Sequence, residues 1–517
     1  MNQNLAVSAI QQALYAGIRE FCVAPGKRNA PLIFALAKID HIKIYQWPEE
    51  RSAAFFALGR IRATNRPVAV IVTSGTAVGN LLPAAMEAHY TQLSLLLITA
   101  DRPRRQRGTG APQSAEQVGI FSHYTCFFQD LADNERCCLK KWSQMGAAHL
   151  NLCFEEPKEE VQVPFSFQFD HLYHKKEPPI VTDASDLKIF LKNHHFPIAV
   201  VGALLKKDQE VVTLFLQNLK IPIYAEAISG LREEPRLKEL QIIGESILQN
   251  SKKADYPIDG VMRIGSIPTC RLWRDLEEKN GEIAVYSISH LPFSGLSDGQ
   301  TLFTSLKEFF SSSHFTAHPS NERAQKWLSK EKEVASDLKR RCKQEPTAQL
   351  SLLHQLSCLI PEGSLIYLGN SLSIREWDLI ATDKYKFFKV EASRGLCGID
   401  GQISTFLGLC TPEQENWAII GDLTALYDLV APWIYQQLPV CNVNLVIINN
   451  GGGQIFSKMF SLPIFLNCHQ LHFKPLADLW GWHYEKWEEV PTKLLPIKGA
   501  KMIEIVPNQT FSKNETR

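Results

Sequence analysis

"LVIINNGGGQIF" (Leu445–Phe456) is the stretch on which the fold turns. An apolar run meets two asparagines and three glycines, then another apolar pair. Taken alone, it allows three readings. Asn-Gly between apolar runs is the strongest short signal for a β-hairpin. A glycine loop can cradle a phosphate. The end of a buried strand can also need glycine where something must approach the backbone.

The residues upstream separate these readings. "WAII" (417–420) reads as a buried strand that delivers Gly421-Asp422 at its carboxyl end. Leu426, Val430, Trp433/Ile434 and Gln437/Leu438 then recur at helical spacing, and Pro432 is expected to kink or shorten that helix. "VNLVII" is the next strand. In a right-handed βαβ unit both strands run the same way. Asp422 and the asparagines then arrive together at the carboxyl edge of a parallel sheet, where open α/β sheets bind ligands. The hairpin reading is therefore excluded. A carboxylate, an amide oxygen and a glycine carbonyl form a hard oxygen site for Mg²⁺ or Ca²⁺, and a Mg²⁺ with few protein ligands takes phosphate and water oxygens as well. Helix N-termini beside it supply N–H groups to that phosphate. A lone Asp422 would be an N-cap. The glycine before it and the Asn-Asn-Gly after the next strand favour a metal. Spacing alone leaves Asn449 and Asn450 both open.

The chain has 517 residues, enough for about two to four domains. It is 45% hydrophobic and 21% charged, which fits a globular protein with sizeable cores. A net charge of +1 gives no global pull toward nucleic acid or an anionic membrane, so neither is expected as a partner. Twelve cysteines without a C-x-x-C pair read as reduced thiols, not zinc ligands, and place the chain in the cytoplasm. The first residues show helical spacing at Leu5, Ala9/Ile10, Ala13/Leu14 and Ile18 instead of a signal peptide. No apolar run reaches the roughly 18 residues of a membrane span.

Short buried-strand runs alternate with helical stretches throughout, as in "EFCVAPG", "PVAVIVTSG", "LSLLLITADRP" and "AHLNLCF". This pattern predicts α/β architecture with parallel sheets covered on both faces. Three doubly wound domains are expected, at 1–175, 184–335 and 346–517. "HKKEPPIVTD" (174–183) links the first two, and a charge-rich helix over 320–346, with Trp327, Val334 and Leu338 as its apolar residues, bridges to the third. "PVAVIVTSGTAVGNLLPA" and "NWAIIGDLTALYDLVAP" share one rhythm, so the outer domains are expected to be related.

Gly-Asp followed, a strand later, by Asn-Asn resembles the metal–diphosphate motif of thiamine diphosphate enzymes. "WPEERSAAFFALGRIRATNRPVAVIVTSGTAVGNLLPAAMEA" is similar to their pyrimidine-binding segment. More closely, "PGKRNAPL", "EERSAAFFALG", "VTSGTAVGNLLPA", "TADRP", "GTGAPQ", "GNSLSIR", "SRGLCGIDGQIST", "GDLTALYDL" and "NNGGGQIFS" resemble, in order, the 2-succinyl-5-enolpyruvyl-6-hydroxy-3-cyclohexene-1-carboxylate synthase family of menaquinone biosynthesis. The resemblance spans nearly the whole chain and is least specific in the middle.

The resemblance implies the pyruvate oxidase/decarboxylase-like architecture, with pyrimidine-binding, central and diphosphate-binding domains in that order. It implies thiamine diphosphate and Mg²⁺ (or Mn²⁺) as cofactors, and decarboxylation of 2-oxoglutarate with 1,4-addition of the succinyl unit to isochorismate. Glu50 takes the place of the glutamate that hydrogen-bonds the aminopyrimidine ring. Outside this context it would be an acid in a helix's first turn. Thr76, Gly421, Leu423, Thr424, Ile455 and Phe456 join Glu50, Asp422 and Asn450 around the cofactor. Anchoring on "GGQIF" makes the metal ligands Asp422, Asn450 and the Gly452 carbonyl. Arg28, Arg102, Gln113, Ser371, Arg375 and Arg394 contact substrate, and guanidinium groups suit the four carboxylates of the two substrates. In this superfamily the two ends of the cofactor lie on different subunits, so a homodimer or tetramer is implied. The sequence departs from the family pattern at Lys27, Asn29, Glu49, Pro112 and Val430. Another thiamine diphosphate-dependent decarboxylase or carboligase is the alternative, and the arginine set opposes the small monoacids such enzymes use. A dinucleotide-binding protein would need a G-x-G-x-x-G after a strand, which this sequence lacks.

Overall fold

The structure is a computed structural model that describes residues 2–157, 166–244, 246–278, 281–312, 314–457, 459–460, 462–495 and 497–508. Its strands form three sheets, and every strand pair among the described residues is parallel. The chain folds into two compact units. One comprises residues 1–176, 393–412 and 423–441; the other comprises 177–392, 413–422 and 442–517.

The first unit holds β1 (Glu20–Val23), β2 (Lys43–Gln46), β3 (Val68–Val72), β4 (Leu95–Asp101), β5 (Thr125–Leu131) and β6 (Ala147–Cys153), in the order β2-β1-β3-β4-β6-β5. β3, β4 and β6 are buried along their whole length. That is why they read as continuous apolar runs rather than as alternating ones. The helix Asn2–Tyr15 covers this sheet with Leu5, Ala6, Ala9, Ile10, Ala13 and Leu14. The helix Glu50–Thr64 crosses the helix Gln402–Leu409 closely enough to require glycine. A Cβ on Gly59 would lie 2.1 Å from the Thr405 carbonyl oxygen, and one on Gly408 would lie 2.3 Å from that of Phe56.

The second unit holds the other two sheets. β7 (Pro197–Val201), β8 (Ile223–Ala225), β9 (Gly260–Ile264), β10 (Ala284–Ser289) and β11 (Thr301–Phe303) are ordered β11-β10-β9-β7-β8. β12 (Leu365–Leu368), β13 (Lys389–Glu391), β14 (Asn416–Gly421), β15 (Val443–Ile448), β16 (His483–Trp487) and β17 (Ala500–Ile505) are ordered β13-β12-β14-β15-β17-β16. The two six-stranded sheets therefore share one strand order, β12 matching β1, β14 matching β3 and β15 matching β4.

"LVIINN" is the buried strand β15 and the start of its loop, paired in parallel with β14 on one side and β17 on the other. The expected shortening of the helix after Asp422 is seen, and the bridging helix forms as expected. The helix expected after Asp422 ends at Tyr427, and a 3-10 turn over Ala431–Gln437 replaces its continuation. Pro432 near the start of that turn has no N–H to continue an α-helix. In the helix Asn321–Gln344, Val334 is exposed while Ala324, Leu328 and Glu331 are buried with Trp327, whose indole N–H donates to Glu331.

Candidate active site

In the first unit, five of the expected site residues follow the carboxyl ends of four adjacent strands. Arg28 follows β1, Glu50 follows β2, Thr76 follows β3, and Arg102 and Gln113 follow β4. Parallel strands with this order bring them to one edge. Glu50 opens its helix, and the preceding Glu49 is the cap: its carboxylate accepts from the Arg51 and Ser52 N–H groups, each at 2.8 Å. The departure at position 49 thus keeps the capping function. Glu50 Oε2 accepts from Asn80 Nδ2 at 3.1 Å.

Two buried acids brace this edge, and neither stood out in the sequence. Asp428 accepts from the Ser404 N–H at 2.7 Å, the Ser404 hydroxyl at 2.9 Å and the Ser52 hydroxyl at 3.1 Å, and burial raises its carboxyl above the usual range. It therefore pins the first turn of the Glu50 helix. Glu87 accepts from the N–H groups of Gly395 and Leu396 at 2.9 and 3.0 Å, and so holds the segment that follows the buried Arg394. Thr76 follows Gly75, whose φ of +85° and N–H bond to the buried Gln117 at 2.9 Å set the turn.

The arginines differ in their commitments. Arg28 is 6% exposed and donates to the Phe154 carbonyl and to Glu156. Asn29, where the family pattern has a small hydroxyl, is fully buried and ties the loop by bonds to the Ala24 carbonyl and the Gly26 N–H. Arg102 has a buried Nε with no hydrogen-bond partner among the described residues, an unmet donor of the kind a bound acid would satisfy. Asp101, Asp130 and Cys153 converge in the manner of a metal site, but Arg107 Nη2 already bonds all three, at 3.0, 2.6 and 3.1 Å. That cluster is an ion-pair network.

In the second unit, Ser371 and Arg375 follow β12, Gly421 and Asp422 end β14 or follow it, and Asn450, Gly452, Ile455 and Phe456 follow β15. These three strands are adjacent. Ser371 has φ +75° and begins the helix Leu372–Ile380, and Arg375 donates back to its carbonyl at 2.5 Å. Asp422 is 2% exposed. Its Oδ2 accepts from the N–H groups of Gly451 and Gly452, both at 2.9 Å, and His469 Nε2 lies 3.2 Å from it. Nothing in the local sequence marked His469. Gly452 has φ +135°, and a Cβ there would lie 2.4 Å from the Leu466 carbonyl oxygen, so only glycine fits. Its own carbonyl accepts from the Gln454 N–H at 2.8 Å, and the oxygen's second lone pair can still face a cation.

The two asparagines are used differently. Asn449 Nδ2 donates to the Leu471 carbonyl and to the buried Glu504, both at 2.7 Å, so it fastens the loop to β17. Asn450 Nδ2 donates to Gln349 Oε1 at 3.0 Å, and this turns Oδ1 to the opposite side of the amide. A carboxylate, an amide oxygen and a glycine carbonyl at the ends of neighbouring strands are the donors a small hard cation takes, and the residues present fit one. Leu423 and the buried Thr424 continue from Asp422 in a short helix.

Comparison with known proteins gives a consistent result. The family model for the N-terminal TPP-binding domain of thiamine pyrophosphate enzymes matches residues 6–120. The chain is 42% identical to a 2-succinyl-5-enolpyruvyl-6-hydroxy-3-cyclohexene-1-carboxylate synthase of Bdellovibrio bacteriovorus over 98% of this chain and 96% of that protein. It is 33% identical to the synthase of Akkermansia muciniphila, over 97% of this chain and 96% of that protein. The synthase of Listeria monocytogenes is 30% identical, over 98% and 94%.

Proposed function

This chain belongs to the 2-succinyl-5-enolpyruvyl-6-hydroxy-3-cyclohexene-1-carboxylate synthase family, and we propose how its residues perform that family's reaction. It is a thiamine diphosphate-dependent enzyme of menaquinone biosynthesis that forms a carbon–carbon bond. 2-Oxoglutarate loses carbon dioxide, and its succinyl unit adds 1,4 to isochorismate. When bound, the cofactor supplies the electron sink that lets carbon dioxide leave.

The observation that carries the reading is the placement of Asp422 and Asn450 at the carboxyl ends of the adjacent strands β14 and β15. Asp422, Asn450 and the Gly452 carbonyl hold Mg²⁺ or Mn²⁺, which ties down the diphosphate. Gly421, Leu423, Thr424, Ile455 and Phe456 line the cofactor, and Thr76 meets its other end. Glu50 is the proton-handling acid: its carboxyl hydrogen-bonds the aminopyrimidine, and one proton resides on it or leaves it. Arg28, Arg102, Arg375 and Arg394 pair with the substrate carboxylates, with Gln113 and Ser371 as neutral partners. Their effect is orientation, which removes entropy from the barrier before reaction.

The working form is a homodimer or tetramer in the cytoplasm, in which Glu50 of one subunit serves the same cofactor as Asp422 of another. Residues 1–175, 184–335 and 346–517 are its pyrimidine-binding, central and diphosphate-binding domains. The test is direct. The protein is mixed with 2-oxoglutarate, isochorismate, thiamine diphosphate and Mg²⁺, and the succinyl adduct is sought by mass. Consumption of pyruvate without any adduct would overturn the reading.

A further inference from the structure

We propose that Gln349 and Glu376 are positioning residues that decide which atom of the Asn450 amide faces the metal; this rests on the metal site proposed above. An asparagine amide offers oxygen on one side and an NH₂ on the other. Only the oxygen can ligate Mg²⁺, and a half-turn about the terminal bond would present donors instead. Something must therefore set the rotation.

Both carboxylate oxygens of Glu376 accept from Gln349 Nε2, at 2.8 and 2.7 Å. A carboxylate accepts and does not donate, so this contact fixes the Gln349 amide with its oxygen on the other side. That oxygen accepts from Asn450 Nδ2 at 3.0 Å. The three groups form a chain of single polarity that starts at a charge and ends with Asn450 Oδ1 turned away from Gln349. Gln349 is 6% exposed and Asn450 9%, so water competes little for either amide.

The elements involved make the chain stiff. Gln349 opens the helix Gln349–Leu359, and Glu376 sits on the helix Leu372–Ile380, one residue after Arg375. The helix that carries a substrate arginine is thereby tied to the loop that carries a metal ligand. None of the three is a sequence neighbour of the others.

The test uses full-length protein and calorimetric titration of Mg²⁺ with thiamine diphosphate held saturating. Thermal unfolding of the metal-free protein serves as the folding control. Gln349→Met removes the acceptor at nearly constant volume. It should weaken Mg²⁺ by about 10–100-fold, the usual cost of losing an orienting partner. The milder Glu376→Gln lets the Gln349 amide rotate and should give a smaller loss in the same direction. The double exchange Gln349→Glu with Glu376→Gln keeps the net charge and an acceptor facing Asn450, and should recover the parental affinity.

Parental Mg²⁺ affinity in Gln349→Met overturns the proposal. So does a double exchange as weak as Gln349→Met, since the loss would then come from packing. Asn450→Ala is the reference arm. If it leaves Mg²⁺ affinity unchanged, the metal reading itself fails and the proposal falls with it.

Discussion

Asn449→Ala and Asn450→Ala should fail in opposite ways. Asn449 Nδ2 gives one bond to the Leu471 carbonyl and one to Glu504, a carboxylate 1% exposed. Truncation leaves Glu504 with the Phe473 N–H at 2.9 Å and the Tyr484 hydroxyl at 2.6 Å, and leaves its remaining capacity buried. A bond to a buried charge is worth about 1.5–3 kcal/mol and a neutral one about 1 kcal/mol, so the loss should be about 2.5–4 kcal/mol. Asn450 Nδ2 makes one neutral bond, to Gln349, so its truncation should cost only about 1 kcal/mol of stability. Removing Asn450 Oδ1, however, removes the proposed ligand, and Mg²⁺ affinity should fall by at least the roughly 10–100-fold seen for outer partners. Denaturant unfolding of the metal-free protein reads the first effect, and Mg²⁺ titration with thiamine diphosphate reads the second. If Asn449→Ala loses more metal affinity than Asn450→Ala, the ligand assignment is reversed and the argument from amide commitments is refuted.

Glu50→Gln should fold normally while turnover collapses and exchange of the thiazolium C2 proton slows. Unchanged turnover would end its assignment as the acid. Gly59→Ala places a Cβ 2.1 Å from the Thr405 carbonyl oxygen, so the helices must part. Overpacking of about 1–3 kcal/mol should outweigh the gain in helix propensity of about 1 kcal/mol, and a raised melting temperature would contradict it. Burial lowers the His149 imidazole to about 3, with the ring 2.7 Å from the Thr99 hydroxyl. Between pH 6.5 and that value the unfolded chain binds a proton that the folded chain does not. Stability present above pH 6.5 is therefore lost on acidification, at about 1.4 kcal/mol per pH unit. His149→Gln should flatten that limb in urea titrations at pH 7 and pH 5. Parallel profiles for parent and variant would show that another group governs it.

What could be read from the sequence follows burial. β3, β4, β14 and β15 are covered on both faces, so their apolar runs announce them, and Asp422 and Asn450 are legible because they end such runs. β2, β5 and β16 lie at or near sheet edges with mixed exposure, and no periodic signal marks them. β17 is fully buried yet hidden, because Lys501 and Glu504 interrupt its apolar pattern. Both charges are compensated at a distance, Lys501 by Glu485 at 2.9 Å and Glu504 by Asn449, Phe473 and Tyr484. Gln349, Glu376, Asp428 and Glu87 were equally hidden, since each acts on residues remote in sequence. Local spacing can point to a candidate ligand, but the groups that hydrogen-bond to it are found only where the chain returns.

The shared strand order shows what the fold supplies and what it leaves to side chains. After β1 comes Arg28, and after its counterpart β12 come Ser371 and Arg375. β3 leads to Thr76 through a glycine with φ +85°, whereas β14 leads to Asp422. β4 leads to Arg102, whereas β15 leads to Asn450 and Gly452. Each pair of positions is equivalent in topology, and each delivers its residue to a carboxyl edge. The chemistry diverges at these equivalent points. Beyond β4 stands a guanidinium suited to carboxylates, and beyond β15 an amide and a glycine suited to a cation. Arginines stand at both edges, Arg28 and Arg102 at the first and Arg375 at the second, whereas the pairing of a buried Asp422 with the Asn450 amide is found at the second. The sheet fixes where a ligand can be met, and the side chains at the strand ends fix what chemistry is offered there.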